Sequence, residues 1–223
     1  MKKHLLLSLS LLLVSLTSAN AKSDFYAGFD IQRQDLNLKT TASYQLSDGS
    51  LYKPSISKFY ETKSYNPNLF LGYKANQNLD IELGYSMTEE DKRNNSMGIV
   101  SYDPLTGDAY DVSTKTTLKT QNITLDFKPS YQIDQNNSLY GILGVSYLQI
   151  KLRDSLYTHE ESTVNYKRNI LTHAVGVGYK LKINDDFSFR SQLKYSYLNK
   201  EIGDSDVKIK SLTQLAVGVA YNF

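Results

Sequence analysis

The chain has 223 residues, no cysteine, and 25 Lys and Arg against 23 Asp and Glu, a formal net charge of +2. The lack of cysteine excludes disulfides, thiolate metal sites and a lipidated N-terminal cysteine. The near-zero charge argues against nucleic acid as a partner, and three histidines are too few for a usual metal site, so neither a metal nor another cofactor is expected.

The first 21 residues have the features of a secretory signal peptide. Two lysines precede an apolar stretch at 5–16, and Ala19 and Ala21 form an A-x-A cleavage site. A stretch of about 12 apolar residues is too short to span a membrane as a helix, which argues against the alternative of a retained anchor. We therefore expect cleavage after Ala21 and a single domain at 22–223, in which basic and acidic residues are equal in number.

Alternation of apolar and polar residues returns eight times in this domain. Period two is the side-chain period of a β-strand whose faces lie in different surroundings, and helical spacing fits none of the segments. The apolar residues take odd positions in every segment, although Ile142 and Leu148 break the pattern in the fifth. The segments lie at 25–32, 68–73, 79–87, 122–128, 139–148, 171–180, 187–195 and 211–223.

The connections alternate between short polar turns and long polar loops. Short turns at 74–77, 133–138 and 182–186 follow the second, fourth and sixth segments. This arrangement predicts an all-β fold, an eight-stranded antiparallel up-and-down transmembrane β-barrel with turns and termini in the periplasm and long extracellular loops. Turn signals at 47–50 and 103–108 predict hairpins within the first two long loops, and the alternative of ten membrane strands is disfavoured by charged residues near these loops.

The even positions predict a polar lumen whose charges cancel. We expect Glu82 to form an ion pair with Arg190, Lys128 or both, because the three residues are predicted to lie at similar heights. Seven even-numbered glycines would leave room for long basic side chains in a narrow barrel. A plugged lumen is the favoured interpretation, and a gated pore or proton path is the alternative. The inward acids are Asp30, Asp80, Glu82 and Asp126, and the inward bases are Lys128, Lys180, Arg190 and Lys194.

Aromatic residues at the ends of the segments predict two belts at the membrane interfaces. A lipid-facing His173 would suggest an outer-membrane lipid deacylase if it had a serine partner. Ser191, the outward serine nearby, is predicted to lie opposite about Val177, roughly 13 Å from His173 at ~3.3 Å per residue. His159 lies beside acids and Ser162 in a loop, where a solvated tip is the simpler interpretation. We therefore expect that the protein is not an enzyme and has no catalytic residues.

Three stretches resemble OmpA-like and OmpX-like small outer-membrane barrels. Leu69–Tyr73 with Leu79–Tyr85 resembles their second hairpin, and Val175–Tyr179 through Phe187–Arg190 resembles their sixth and seventh strands. The terminal strand, which ends in Tyr221 and Phe223, resembles the closing strand that the barrel assembly machinery recognises as an assembly signal.

The resemblance implies a monomeric barrel of the Gram-negative cell outer membrane whose loops contact the surroundings. Its expected partners are outer-membrane lipids, lipopolysaccharide, the assembly machinery and an extracellular ligand. The chain stops at Phe223, so the peptidoglycan-binding role of OmpA is not expected. A structural or surface-interaction role is the leading hypothesis, a small-solute pore is the alternative, and a lipid-modifying enzyme is the third.

Overall fold

The structure is a computed structural model that describes residues 24–40, 44–45, 51–52, 62–88, 91–102, 109–157, 161–202 and 207–223. The predicted signal peptide, the two loop turns at 47–50 and 103–108, and His159 lie outside the described residues. In the part of the chain that is described, no helix is long and apolar enough to cross a bilayer.

Strands make up most of the described chain. They are β1 (Phe25–Thr40), β2 (Tyr44–Gln45), β3 (Leu51–Tyr52), β4 (Lys63–Asn76), β5 (Leu79–Met87), β6 (Asp91–Tyr102), β7 (Ala109–Gln132), β8 (Asn137–Tyr157), β9 (Glu161–Lys182), β10 (Phe187–Glu201) and β11 (Val207–Asn222).

Eight of these strands form one closed antiparallel barrel. The hydrogen-bonded order is β1, β4, β5, β7, β8, β9, β10 and β11, and β11 pairs back onto β1. These strands contain the eight predicted segments, so the predicted fold is confirmed. Among the described residues, β6 pairs with the first half of β7 and β2 pairs with β3, so β2, β3 and β6 lie in the first two long connections and add no strand to the closed barrel.

Short polar turns close one end of the barrel, here called the turn end. Asp134 accepts hydrogen bonds from the backbone N–H groups of Asn136 and Asn137, both at 2.8 Å. The bonds from Asn136 and Asn137 hold the pKa of the exposed Asp134 carboxyl below its usual range. Asn184 and Asn76 accept equivalent bonds in the other two turns. Side chains of this type therefore fix all three reversals by capping the backbone two or three residues ahead.

The outward face carries the odd-numbered apolar side chains, as predicted from parity. Large apolar residues such as Leu125, Leu143 and Val177 lie exposed on it, while the even-numbered neighbours lie inside. Aromatic rings gather at the turn end, where Phe187 contacts Tyr221 with ring centroids 5.1 Å apart and Tyr221 contacts Phe223 at 5.3 Å. This apolar belt gives the barrel the surface of a protein surrounded by lipid.

Inward glycines lie directly opposite bulky side chains of the adjacent strand. Tyr26 is paired with Gly72, Phe70 with Gly28, and Tyr140 with Gly178. A β-carbon built on any of these glycines would overlap the opposing ring. These glycines were predicted to make room for basic side chains, but aromatic rings fill much of the space.

The opposite end of the barrel, the loop end, contains a buried apolar cluster that the sequence analysis did not predict. Leu148 and Ile150 are fully buried in it, so Leu148, one of the two residues that broke the parity pattern, belongs to a second core. A register shift at Lys210 turns Ile209 and Val207 inward although their numbers are odd. The lumen is therefore polar only in part. We call this cluster the apolar plug, and it comprises Leu36, Leu118, Leu148, Ile150, Leu152, Ile170, Leu198, Ile202, Val207, Ile209 and Leu212.

Truncation of the apolar plug should destabilise the barrel. Leu148→Ala should lower the free energy of unfolding by about 2–5 kcal/mol, because it removes buried methyl groups and leaves a cavity. Urea unfolding of the folded protein in detergent measures this loss. Leu171→Ala is the matched control, because Leu171 lies on the neighbouring strand, is 72% exposed and leaves no cavity when truncated. An equal loss for both variants would contradict the plug as a core.

Candidate functional site

The charged groups of the lumen lie between the turn end and the apolar plug. Each of them has an even residue number, and the even-numbered side chains of these strands point into the lumen. The structure places all eight predicted inward charges on this inner face, and six of the eight are almost fully buried. The buried members are Asp30, Glu82, Asp126, Lys128, Arg190 and Lys194.

Arg190 contacts three other strands across the lumen. Its Nε donates to Asp30 Oδ1 at 2.8 Å, and its Nη2 donates to Asp30 Oδ2, so β10 is joined to β1 by a two-point ion pair. Its Nη1 donates to Glu82 Oε2 on β5. The guanidinium carbon also lies 3.2 Å from the ring centroid of Phe70 on β4. Planar stacking and bidentate pairing are both contacts that a lysine would not reproduce.

Glu82 lies between two cations. Lys128 Nζ donates to Glu82 Oε1 at 2.6 Å, while Arg190 and the Tyr26 hydroxyl donate to Glu82 Oε2. The structure therefore brings together the three residues of the expected cluster and adds Asp30 as a fourth. We call Asp30, Glu82, Lys128 and Arg190 the ionic network. Its two acids and two bases cancel in charge, as buried charges require.

The remaining predicted charges form two separate pairs. Lys194 Nζ lies 2.6 Å from Asp126 Oδ2 in the buried lumen. Lys180 Nζ lies 3.5 Å from Asp80 Oδ2 nearer the turn end, where both side chains keep partial exposure. All four inward acids therefore have a basic partner among the described residues. Parity predicted the inward direction of these charges, but the partners of Asp30, Asp80 and Asp126 did not follow from it.

Neutral hydrogen bonds form a layer between the ionic network and the apolar plug. Gln34 Nε2 donates to Thr120 Oγ1 at 3.0 Å, and Thr120 in turn contacts Thr88. Ser146 Oγ donates to Asn122 Oδ1 at 2.5 Å on the adjoining strands. From the turn end to the loop end the lumen is thus filled by ions, then amides and hydroxyls, then hydrocarbon. Below the ions, a mouth cavity of about 290 Å³ opens at the turn end.

The outward histidine lies far from the outward serine. Ser191 is paired with Tyr179 rather than near Val177, so it lies six positions from His173 along β9. Six positions at ~3.3 Å each correspond to roughly 20 Å, well beyond hydrogen-bond reach. No group of three or more metal-ligating side chains occurs in the described ranges.

The ionic network predicts an order among its double variants. Glu82→Gln should lower the free energy of unfolding by about 3–5 kcal/mol, because it leaves Lys128 without its carboxylate while Arg190 keeps Asp30. Water in the lumen would reduce this loss. Adding Lys128→Met should recover part of the loss. Adding Arg190→Met should recover less, because it strands Asp30. Urea unfolding of the two double variants measures the difference.

Lys182→Gln supplies the control for the network, because its pair with Asp185 is exposed and should contribute less than about 1 kcal/mol. If the Arg190 double variant recovered more stability than the Lys128 double variant, the assignment of Lys128 as the dependent partner would be wrong.

Comparison with known proteins agrees with this geometry. The sequence matches the outer membrane protein beta-barrel domain family over residues 5–223. No curated protein matches the chain by sequence. Neisserial surface protein A superposes with a TM-score of 0.54 at 16% identity, over 90% of this chain and 98% of that chain. OprG from Pseudomonas aeruginosa gives a TM-score of 0.51 at 13% identity, over 90% and 96%.

A looser superposition is found with Ail, the attachment invasion locus protein of Yersinia pestis, with a TM-score of 0.46 at 16% identity over 91% of this chain and 100% of that chain. At these identities the structural likeness concerns the fold alone. The family match, in contrast, covers nearly the whole chain and agrees with the closed barrel and its apolar belt. The chain is therefore an outer-membrane barrel protein and belongs to the outer membrane protein β-barrel family.

Proposed function

We propose that the protein is a non-conducting, non-catalytic barrel that holds its loops at the cell surface, with a structural or surface-interaction role. The observation that carries this proposal is the double closure of the lumen by the ionic network and the apolar plug. A pore requires a continuous water path, and an eight-stranded barrel has an interior just wide enough for its own side chains. The functional surface of such a protein is its loop end.

Strand length supports an outward-facing platform. β7, β8 and β9 have 24, 21 and 22 residues, about twice the roughly 10 residues that a tilted strand needs to cross a membrane. The turn end carries the short connections, and the first barrel strand begins and the last one ends there. We therefore place the turn end in the periplasm and the long strands outside. An extracellular ligand would then meet the loop end, and the apolar outward belt leaves lipid as the lateral partner of a monomer.

Export and assembly complete the proposal. Residues 1–21 are proposed to be removed as a signal peptide, and Tyr221 with Phe223 is proposed to be read by the barrel assembly machinery. The two rings contact each other at the turn end, where a factor in the periplasm would reach them. Deletion of Phe223 followed by fractionation of the outer membrane tests this role.

A small-solute pore is the second candidate, and the mouth cavity is the observation that favours it. The cavity reaches inward as far as Lys128 and Arg190. A channel would require both the ionic network and the apolar plug to rearrange. The two layers act in series, so opening one of them leaves the other in place.

The protein should show no single-channel conductance in planar bilayers. Glu82→Ala, which weakens the ionic network, and Leu148→Ala, which weakens the apolar plug, should each remain non-conducting because the other layer is intact. Conductance of the unmodified protein would favour the pore. Increased conductance of Glu82→Ala with little loss of stability would identify the network as a gate.

Cysteine labelling should report the orientation without background, because the chain contains no cysteine. Asn165→Cys lies exposed on the long part of β9, and Gln135→Cys lies exposed in a short turn. A membrane-impermeant maleimide should label Asn165→Cys on intact cells, and it should reach Gln135→Cys only after the outer membrane is permeabilised. The reverse pattern would place the loop end in the periplasm.

A further inference from the structure

The outward face of β7, β8 and β9 changes polarity row by row toward the loop end. The residues of each row lie in register on the three strands, so they are direct cross-strand neighbours. The last apolar row is Ile123, Tyr147 and Leu171, the next outward row is Gln121, Gln149 and Asn169, and the row after that is Lys119, Lys151 and Lys167. We call the third of these the lysine row.

The lysine row places three like charges side by side. Directly opposite residues of adjacent strands have β-carbons about 4.5–5.5 Å apart, and like charges at this distance destabilise the pairing. No ion pair between the described residues includes any of the three lysines. Lys151 and Lys167 are exposed and Lys119 is half-buried, so all three can meet a molecule beside the barrel.

Other parts of the loop end pair opposite charges. Asp35 lies in register with Lys63 on β1 and β4, and Glu201 lies in register with Lys208 on β10 and β11. Lys208 also lies opposite Lys39 on β1, but Glu201 flanks Lys208 on its other side. Among the described strands, a row of three lysines without an acid is therefore confined to β7, β8 and β9. An anion bound to that side would relieve the repulsion within the row.

The height of the lysine row identifies the kind of anion. Lys151 follows Tyr147 by four positions, which is about 13 Å along the strand and about 10 Å along the membrane normal for a strand tilted by roughly 40°. The polar zone of a bilayer extends about 5–7 Å beyond each face of the hydrocarbon. Lysine side chains can bend back toward it, so the three ammonium groups reach the depth of lipid phosphates.

The amide row below supports the same depth. Gln149 Nε2 donates to Asn169 Oδ1 at 3.1 Å, so neighbouring amides are already joined across the strands. Side-chain amides at this level can hydrogen-bond to the sugar or glycerol groups and to the carbonyl groups that lie between the phosphates and the acyl chains of a lipid. Arg153, one outward position above Lys151, is exposed and extends the basic surface.

We propose that the lysine row binds the phosphate groups of an anionic lipid in the outer leaflet, and that the amide row contacts the polar part of that lipid below the phosphates. The proposal rests on the proposed orientation, in which the loop end lies outside. A lipid with more than one phosphate suits three cations in a line better than a singly charged one, because each phosphate then meets an ammonium group.

Binding of diphosphorylated lipid A to the full folded chain in zwitterionic detergent tests the lysine row. The variant K119Q/K151Q/K167Q should bind roughly 100-fold more weakly, because each lysine near an anionic lipid surface contributes about fivefold to the binding constant. K39Q/K200Q/K208Q is the charge-matched control on β1, β10 and β11, and it should bind as the unmodified protein does. K119R/K151R/K167R keeps the charges and should retain binding.

Two further arms identify the ligand chemistry. Lipid A stripped of its phosphates should bind the unmodified protein roughly as weakly as diphosphorylated lipid A binds the glutamine variant. Inorganic pyrophosphate should bind far more weakly than lipid A, because it makes no contact with the amide row or the apolar rows. Both arms use the unmodified chain, so they decide the proposal even if the glutamine variant does not fold.

Three results would overturn the inference. Equal binding of phosphate-free lipid A would show that phosphate is not recognised, and equal binding of pyrophosphate would show a site for free phosphate rather than for lipid. An equal loss in the control variant would show a dependence on total charge alone. A conducting barrel would refute the proposed function and leave these binding results unchanged, so the two failures are distinguishable.

Discussion

The contacts of Arg190 hold the lower half of the barrel together. One guanidinium joins β10 to Asp30 on β1, to Phe70 on β4 and to Glu82 on β5. These three strands are neighbours, and β10 contacts them across the lumen. Burial of a cation this deep is stable only with such partners, because desolvation of an unpaired charge costs several kcal/mol. The positions of Glu82 and, through it, of Lys128 follow from this one side chain.

Complementary size across the lumen is the second constraint. The interior is so narrow that the inward aromatic rings lie directly opposite glycine, as Phe70 does with Gly28 and Tyr140 with Gly178. A glycine also makes room for the ions, because Asp30 lies close against Gly218 and the centre of the lumen remains open for Arg190. A substitution at one of these glycines would therefore disturb both the packing and the ion pairs of the lumen.

Parity in the sequence predicted the eight strands and the face of nearly every residue, because a closed barrel gives each crossing the same two surroundings. It could not predict partners, since these depend on the stagger between strands, and Ser191 accordingly lies two positions from its expected neighbour. The apolar plug was not predicted, because the even positions, which are mostly polar nearer the turn end, become apolar toward the loop end, as at Leu148 and Ile150. The shift at Lys210 reverses parity locally, and alternation alone does not signal it.

The sequence separation of the Arg190 contacts bears on how long the barrel persists once formed. Arg190 and Asp30 are 160 positions apart, and Arg190 and Glu82 are 108 apart, whereas each hairpin of the wall pairs neighbouring segments. Because closing a long loop costs entropy, we expect such distant contacts to form when the first and last strands meet, after the hairpins. Interactions made after the rate-limiting step slow unfolding rather than speed folding. We therefore expect the ionic network to slow unfolding of the closed barrel rather than to speed its formation.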